Sequence, residues 1–145
     1  RDGVCVMADG LGLSIRVDEG QLRKLMGKLD PKLVDELRRD VLTDASHYGE
    51  GQVKLHTPAV TGNLRRSIQT ATARIKQGIG RVWSSTSLAV YGPWIETGHN
   101  VKGGYDMTSK PGGYQMFATG ARELLAKLPD IVQNAARKLQ DKWGR

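Results

Sequence analysis

One stretch constrains the fold more than any other: the run from Asp30-Pro31 to Pro58. Within it Leu33, Leu37, Val41, Ala45 and Tyr48 recur every three or four residues, which lines them along one face of an α-helix. Both ends carry their own punctuation. Asp30 can accept from the first free backbone N–H groups, and Pro31 occupies the first helical position, where no N–H is needed. Pro58 cannot continue the helix. Gly49 and Gly51 lie inside the run and weaken its last turns by about 1 kcal/mol each relative to alanine. A helix with one apolar stripe gains most of its stability from what covers that stripe, so the rest of the chain has to supply a cover.

Leu13, Ile15 and Val17 alternate with polar residues and predict a short, half-buried strand. Asp18 followed by Gln21 has the capping-box spacing and starts a short helix through Leu22, Leu25 and Leu29. Farther on, Gly62-Asn63 permits a tight turn with positive φ, and Leu64 to Ile75 reads as a strand. Gln77-Gly78 and Gly80 supply a second turn, after which Arg81 to Thr86 returns, making a hairpin. Residues 88–97 suit a short helix, a strand or a packed loop, although Pro93 argues against a central strand. Residues 98–113 (GHNVKGGYDMTSKPGG) form a long Gly-rich loop. Leu124, Leu128, Ile131, Val132, Ala135, Leu139 and Trp143 then mark a C-terminal amphipathic helix, which Pro129 either kinks or restarts. The class is α+β: a small antiparallel sheet with a β-hairpin, packed mainly on one side against a long N-terminal helical segment and a C-terminal helix. One domain spans residues 1–145, with residues 1–11 expected as a flexible N-terminal extension.

The length of 145 residues suits a single core, while 39% hydrophobic residues and a mean hydropathy of −0.43 are low for a compact monomer. No apolar run approaches the roughly 20 residues of a membrane span, and no signal-peptide pattern is present. The single cysteine, Cys5, excludes an internal disulfide framework and reads as an inert terminal thiol in a reducing compartment. The chain opens on Arg1, and Met7 is a candidate initiator, with RDGVCV then an added or upstream stretch. Charge is uneven. Residues 1–56 carry 9 Lys/Arg against 10 Asp/Glu, residues 57–113 carry 7 against 2, and residues 114–145 carry 6 against 3. The central excess of +5 favours acidic partners, nucleic acid or protein.

Chemistry-bearing patterns are sparse. His47 and Glu50 have a helical spacing that could serve a metal, with His56 or His99 as further ligands, but no ligand motif joins them and solvated helix polar groups explain them better. Ser84, Ser85 and Ser87 lack a nucleophile elbow, and the Gly-rich loop lacks the phosphate-binding signature. No enzyme activity, cofactor or metal is expected. Arg65, Arg66, Arg74, Lys76 and Arg81, with Trp83 and Trp94, could form a platform for single-stranded nucleic acid. The competing reading makes Trp83 a core residue and the arginines a solvated or protein-binding face.

Two segments fit neither a plain core nor a plain surface: TPAVTGNLRRSI (Thr57 to Ile68) and YGPWIETG (Tyr91 to Gly98). Glu96 is the only acid between Ala59 and Asp106. It is either an ordinary surface glutamate or paired with Arg65, Arg66 or an arginine of a neighbouring subunit, the last option giving registry at an interface. On the paired reading Glu96→Ala leaves the fold intact and weakens association. Trp94, beside Pro93, is either a buried plug or an exposed anchor.

In order and spacing, these motifs resemble the head–tail connector, or tail-completion, family of long-tailed bacteriophages, small neck components also described as minor tail proteins. The matched positions are Pro58, Thr61, Gly62, Leu64, Arg65 and Ser67, then Tyr91, Glu96 and Gly98, and the resemblance spans residues 13–143. The family usually carries a proline-rich approach to a phenylalanine before its last helix, whereas here Pro111 is followed by Gly-Gly-Tyr before Phe117. The resemblance implies a non-enzymatic α+β subunit of the virion, assembled in the host cytoplasm into a ring, a hexamer by expectation. Its partners would be the tail-terminator or tail-tube protein and a head-completion or adaptor protein, with genomic DNA passing through the lumen. On this reading Arg66, Trp94, Tyr105 and Tyr114 join the matched residues as interface candidates. The first segment is a helix-to-sheet hinge and the second a contact element before the docking loop. The alternative is a basic nucleic-acid-binding module.

Overall fold

The computed structural model of the chain describes residues 4–9, 12–18, 20, 24, 30–58, 62–71, 75–84, 96 and 114–144. Four strands, β1 (Val4–Asp9), β2 (Gly12–Val17), β3 (Ile68–Ala71) and β4 (Ile79–Ser84), form one sheet in the order β1-β2-β4-β3. Every neighbouring pair is antiparallel: Val6 lies opposite Ile15, Ile15 opposite Gly80, and Thr70 opposite Val82. Helices α1 (Pro31–His56), α2 (Asn63–Ser67) and α3 (Met116–Trp143) and a 3-10 turn over Ile75–Gln77 accompany the sheet.

Strand alternation sets the two faces. Leu13, Ile15, Val17 and Val82 point inward and are buried, while Arg16, Arg81, Trp83 and Gln69 point outward. The inward face packs on the apolar stripes of α1 and α3 in one core that includes Leu42, Ala45, Val53, Phe117 and Leu124. A second small cluster of Leu37, Val41, Ala135 and Leu139 extends the helix pair beyond the sheet. The two helices run antiparallel, so that Val53 meets Gly120 and Thr57 meets Met116 near one end, and Glu36 meets Lys142 at the other.

The caps of α1 follow the sequence. The Asp30 carboxylate accepts from Lys32 N at 2.9 Å, Pro31 opens the helix, and the helix ends two residues before Pro58. The two glycines near its end behave differently. Gly49 is buried, with Leu13 and Leu124 side chains against the position a Cβ would take, whereas nothing lies within 4 Å of that position at Gly51. Gly49 therefore serves packing, and Gly51 is the one true weakness. Gly51→Ala is expected to stabilise the protein by about 0.5–1 kcal/mol in chemical denaturation, since the exposed helical site gains propensity without a clash.

Three expectations are corrected. Residues 4–9 do not belong to a flexible extension; they form the edge strand β1, with Val6 packed against the core. Residues 63–67 are helical, so the hairpin strand starts at Ile68 and is four residues long. Here Gly62 is left-handed (φ 73°) and its carbonyl accepts from Arg66 N at 3.0 Å, which closes one helical turn. Leu64 and Ser67, three apart, then share its buried side. The hairpin itself stands, with Gly78 (φ 80°) at the turn, but Ile75–Gln77 form a 3-10 turn rather than strand, and the return strand starts at Ile79, so Gly80 lies in β4 and not in the turn. Lastly, the helix does not restart at Pro129: α3 is one helix from Met116 to Trp143 with Pro129 inside it. The Asp18 cap is present, accepting from Gly20 N at 2.9 Å, and Gly20 and Lys24 are helical. The other residues of that short helix, most of 85–97 and all of 98–113 lie outside the described residues. No described helix is long and apolar enough to cross a membrane.

At the far end of the helix pair, the Glu36 carboxylate accepts from Lys142 Nζ and from Trp143 Nε1, the latter at 3.1 Å. The Lys142 hydrogen bond, with those of Trp143 and the charges of Lys142 and Arg39, holds Glu36 below its ordinary carboxylate range. A lowered carboxyl contributes stability that is full above the ordinary range and lost as pH falls through the folded value. Acidification should therefore change Trp143 fluorescence across that window, and the E36Q variant should lack the change.

Candidate functional site

The two sequence segments and the last helix meet at one place, the N-terminus of α3. Thr57 terminates α1 and is buried; its hydroxyl donates to Val53 O at 2.6 Å and lies 3.3 Å from Met116 Sδ. Arg65 reaches back from α2 and donates from Nη2 to Thr57 O at 3.0 Å. Pro58 is half-buried between them in sequence, and Gly62 supplies the left-handed turn. The first segment thus ties α1, α2 and α3 together.

Leu64 and Ser67 are buried inside the chain, so these two matched residues are core rather than contact surface. Ser67 Oγ donates to Leu64 O at 2.6 Å and lies 2.7 Å from Ser84 Oγ. With the Ser67 proton committed to Leu64, Ser84 is the donor from β4 to the end of α2. Ser84 is thereby a structural hydroxyl. Arg65 and Arg66 are exposed.

Glu96 is the one residue of the second segment among the described residues, and it is buried (7% exposed). Its carboxylate oxygens accept from Phe117 N at 3.1 and 3.2 Å and from Ala118 N at 3.3 Å. Its own carbonyl accepts from Gln115 N at 3.1 Å. Glu96 therefore caps α3 from outside the helix. The helix needs that service: Gln115, at its N-cap, has left-handed φ of 47° and makes no side-chain cap, and no acid lies in the first turn. Burial pushes the Glu96 carboxyl up, and the N–H groups of Phe117, Ala118 and Met116 pull it down without cancelling the rise.

This corrects two readings of Glu96, the surface glutamate and the carboxylate paired with Arg65 or Arg66. It is not a surface glutamate, and among the described residues it forms no salt bridge with an arginine. A helix N-terminus takes the place of the arginine, since free N–H groups and the helix dipole offer a carboxylate the same positive partner. The Glu96–Gln115 bond also holds together two residues that flank the Gly-rich stretch of the sequence. Tyr114 is half-buried against the core. Thr61, Tyr91, Trp94, Gly98 and Tyr105 lie outside the described residues.

A second feature is the sheet face opposite α1 and α3, which no described helix covers. Trp83 is 37% exposed there, flanked by Gly12 and Gln69 on the neighbouring strands, and Arg81 lies between Ser14 and Ala71. Arg16 and Met7 (59% exposed) continue the face toward the β1 edge. Trp83 is thus not the core residue that the competing reading made it. Its outward direction follows from β4 alternation, with Gly80, Val82 and Ser84 turned inward.

Among the described residues no group of three or more His, Cys, Asp or Glu could hold a metal ion. Glu50 is engaged otherwise: its carboxylate accepts from Lys54 Nζ and from Thr70 Oγ1, latching α1 to the edge strand β3. Burial pushes the Glu50 carboxyl up, but the hydrogen bonds from Lys54 and Thr70, with the charges of Lys54 and His47, leave it below its ordinary range. Sequence reasoning missed this latch, since Glu50 and Thr70 carry no pattern that pairs them. No family model, curated protein or solved structure matches the chain.

Proposed function

We propose that the chain is a structural, non-enzymatic subunit of a phage neck. Copies form a ring, six by expectation, that joins the tail tube to the head-side connector and lets genomic DNA pass. The observation that carries this reading is the convergence of the two matched segments on the start of α3. Thr57 and Arg65 of the first segment and Glu96 of the second fix one junction, and Glu96 and Gln115, which flank the Gly-rich stretch, are bonded there. A junction that fixes the two residues flanking a Gly-rich segment suits a docking element, since the scaffold sets where that segment would meet a neighbouring protein. The basic excess over residues 57–113 suits an acidic neighbour or DNA. The tail-tube or tail-terminator protein on one side and a head-completion protein on the other are the partners this reading assigns, in the virion. The test is genetic. A phage lacking this chain should accumulate DNA-filled heads and complete tails that stay apart; joined, infectious particles from that mutant would reject the proposal.

A second reading, a basic nucleic-acid-binding module, is favoured by one specific observation, the outward Trp83 beside Arg81 on the uncovered face. It calls for Trp fluorescence quenching by single-stranded DNA at about 50 mM salt, weakening steeply as salt rises. No quenching at low salt would dispose of it.

A further inference from the structure

We propose that the two edges of the sheet join neighbouring copies of this chain, with β1 of one copy adding as a strand beside β3 of the next. The choice of a second copy as occupant rests on the ring reading; the geometry rests on the sheet itself. Among the described residues, no strand pairs with the outer edge of β1 or of β3. Soluble proteins blunt such edges with lysines, prolines, bulges or very short strands. β1 has none of these. Its six residues, VCVMAD, pair with β2 in unbroken register, and its only charge is Asp9 at the tip. Cys5, Met7 and Ala8 are exposed along it.

Strand direction and face both permit the join. In a sheet of four strands that are antiparallel throughout, the two edge strands run in opposite directions. A second copy placed edge to edge, with its helices on the same side, therefore continues the antiparallel alternation. The pleat also matches. Cys5 and Met7 lie on the uncovered face of β1, and Gln69 and Ala71 lie on the uncovered face of β3. Placing Met7 opposite Gln69 of the next copy sets Cys5 opposite Ala71 and Val6 opposite Thr70 of that copy. All four residues of β3 then find partners, and every side chain stays on its own face.

The contact is heterologous, since each copy offers two different edges, so it propagates from copy to copy and closes when the rotation allows. In the closed form the bulkier helix layer takes the outer circumference. The uncovered face with Arg16, Arg81 and Trp83 then lines the inside.

Cysteine cross-linking tests the join, with the native Cys5 as one partner. After mild oxidation of concentrated protein, the A71C variant should give a ladder of covalent species beyond the dimer on a non-reducing gel. The C5S/A71C double variant should lose that ladder. Q69C, at an exposed position, should give a weaker ladder and serves if Ala71 does not tolerate replacement. No species beyond the dimer from either variant would overturn the proposal, as would an equal ladder from R137C on the exposed side of α3. A dominant Cys5–Cys5 dimer would replace the occupant with a β1-to-β1 pair and likewise overturn it. The two readings fail separately. Closed rings in the electron microscope without the ladder would sink strand addition alone; a ladder with open filaments would sink the ring alone.

Discussion

Glu96→Ala is expected to lower the unfolding free energy by about 1–3 kcal/mol, because the buried Phe117 N–H loses its acceptor, with a smaller addition from the half-buried Ala118 N–H. This reverses the effect that arginine pairing implies, where the fold survives and only association suffers. Glu96→Gln should lose less than half as much, since an amide oxygen can still accept from the helix start. The pH dependence separates the two forms. Because the folded Glu96 carboxyl is raised by burial, the folded chain holds a proton over a window just above the ordinary carboxyl range that the unfolded chain has released. Stability from this group therefore falls as pH rises through that window and is unaffected below it. E96Q should remove the dependence. Urea titrations of the three proteins at several pH values measure all of this. An alanine variant as stable as the parent would show that the cap contributes nothing.

The second large effect is at the crossing of the two long helices. A Cβ at Gly120 would stand 2.6 Å from Val53 Cγ2 and 3.3 Å from Val53 N, inside α1. One of those neighbours is backbone, so the helices have to separate. Gly120→Ala should destabilise the protein by about 1–3 kcal/mol through overpacking, outweighing the helix propensity gain of about 1 kcal/mol. Val53 is fully buried, and Val53→Ala alone should also destabilise by leaving a cavity. Together the two should cost less than their sum, since each relieves the other. Additive losses would mean that the contact at Gly120 does not limit helix approach. The contrast with Gly51→Ala, expected to stabilise, isolates close approach from propensity.

Much of this fold was legible because its signals repeat. The stripe of α1 recurs over many turns between two caps, and the alternation of β2 and the turn at Gly78 each leave local marks. Where the sequence misled, the window was short. Residues 64–67 are as compatible with alternation as with one helical turn, and only the left-handed Gly62 with the Gly62–Arg66 hydrogen bond decides between them. β1 was hidden because a strand is recognised by its partner as much as by its composition. The Glu96 cap was half visible. Its isolation among basic residues was plain, but the partner is a set of backbone N–H groups, which no residue type advertises. The missing clue was at the other end: α3 begins at Gln115-Met116-Phe117 with no acid or hydroxyl to cap it. The Glu50–Thr70 latch left no mark at all, being a contact between distant segments.

The central claim, a ring subunit at a phage neck, is tested most directly by electron microscopy of the intact particle carrying this chain. The account predicts density for this fold at the head–tail junction, in one closed ring, with the α3 start and the segment anchored at Glu96 and Gln115 against a neighbouring neck protein. Finding the chain elsewhere in the particle, or not in the particle, would contradict it.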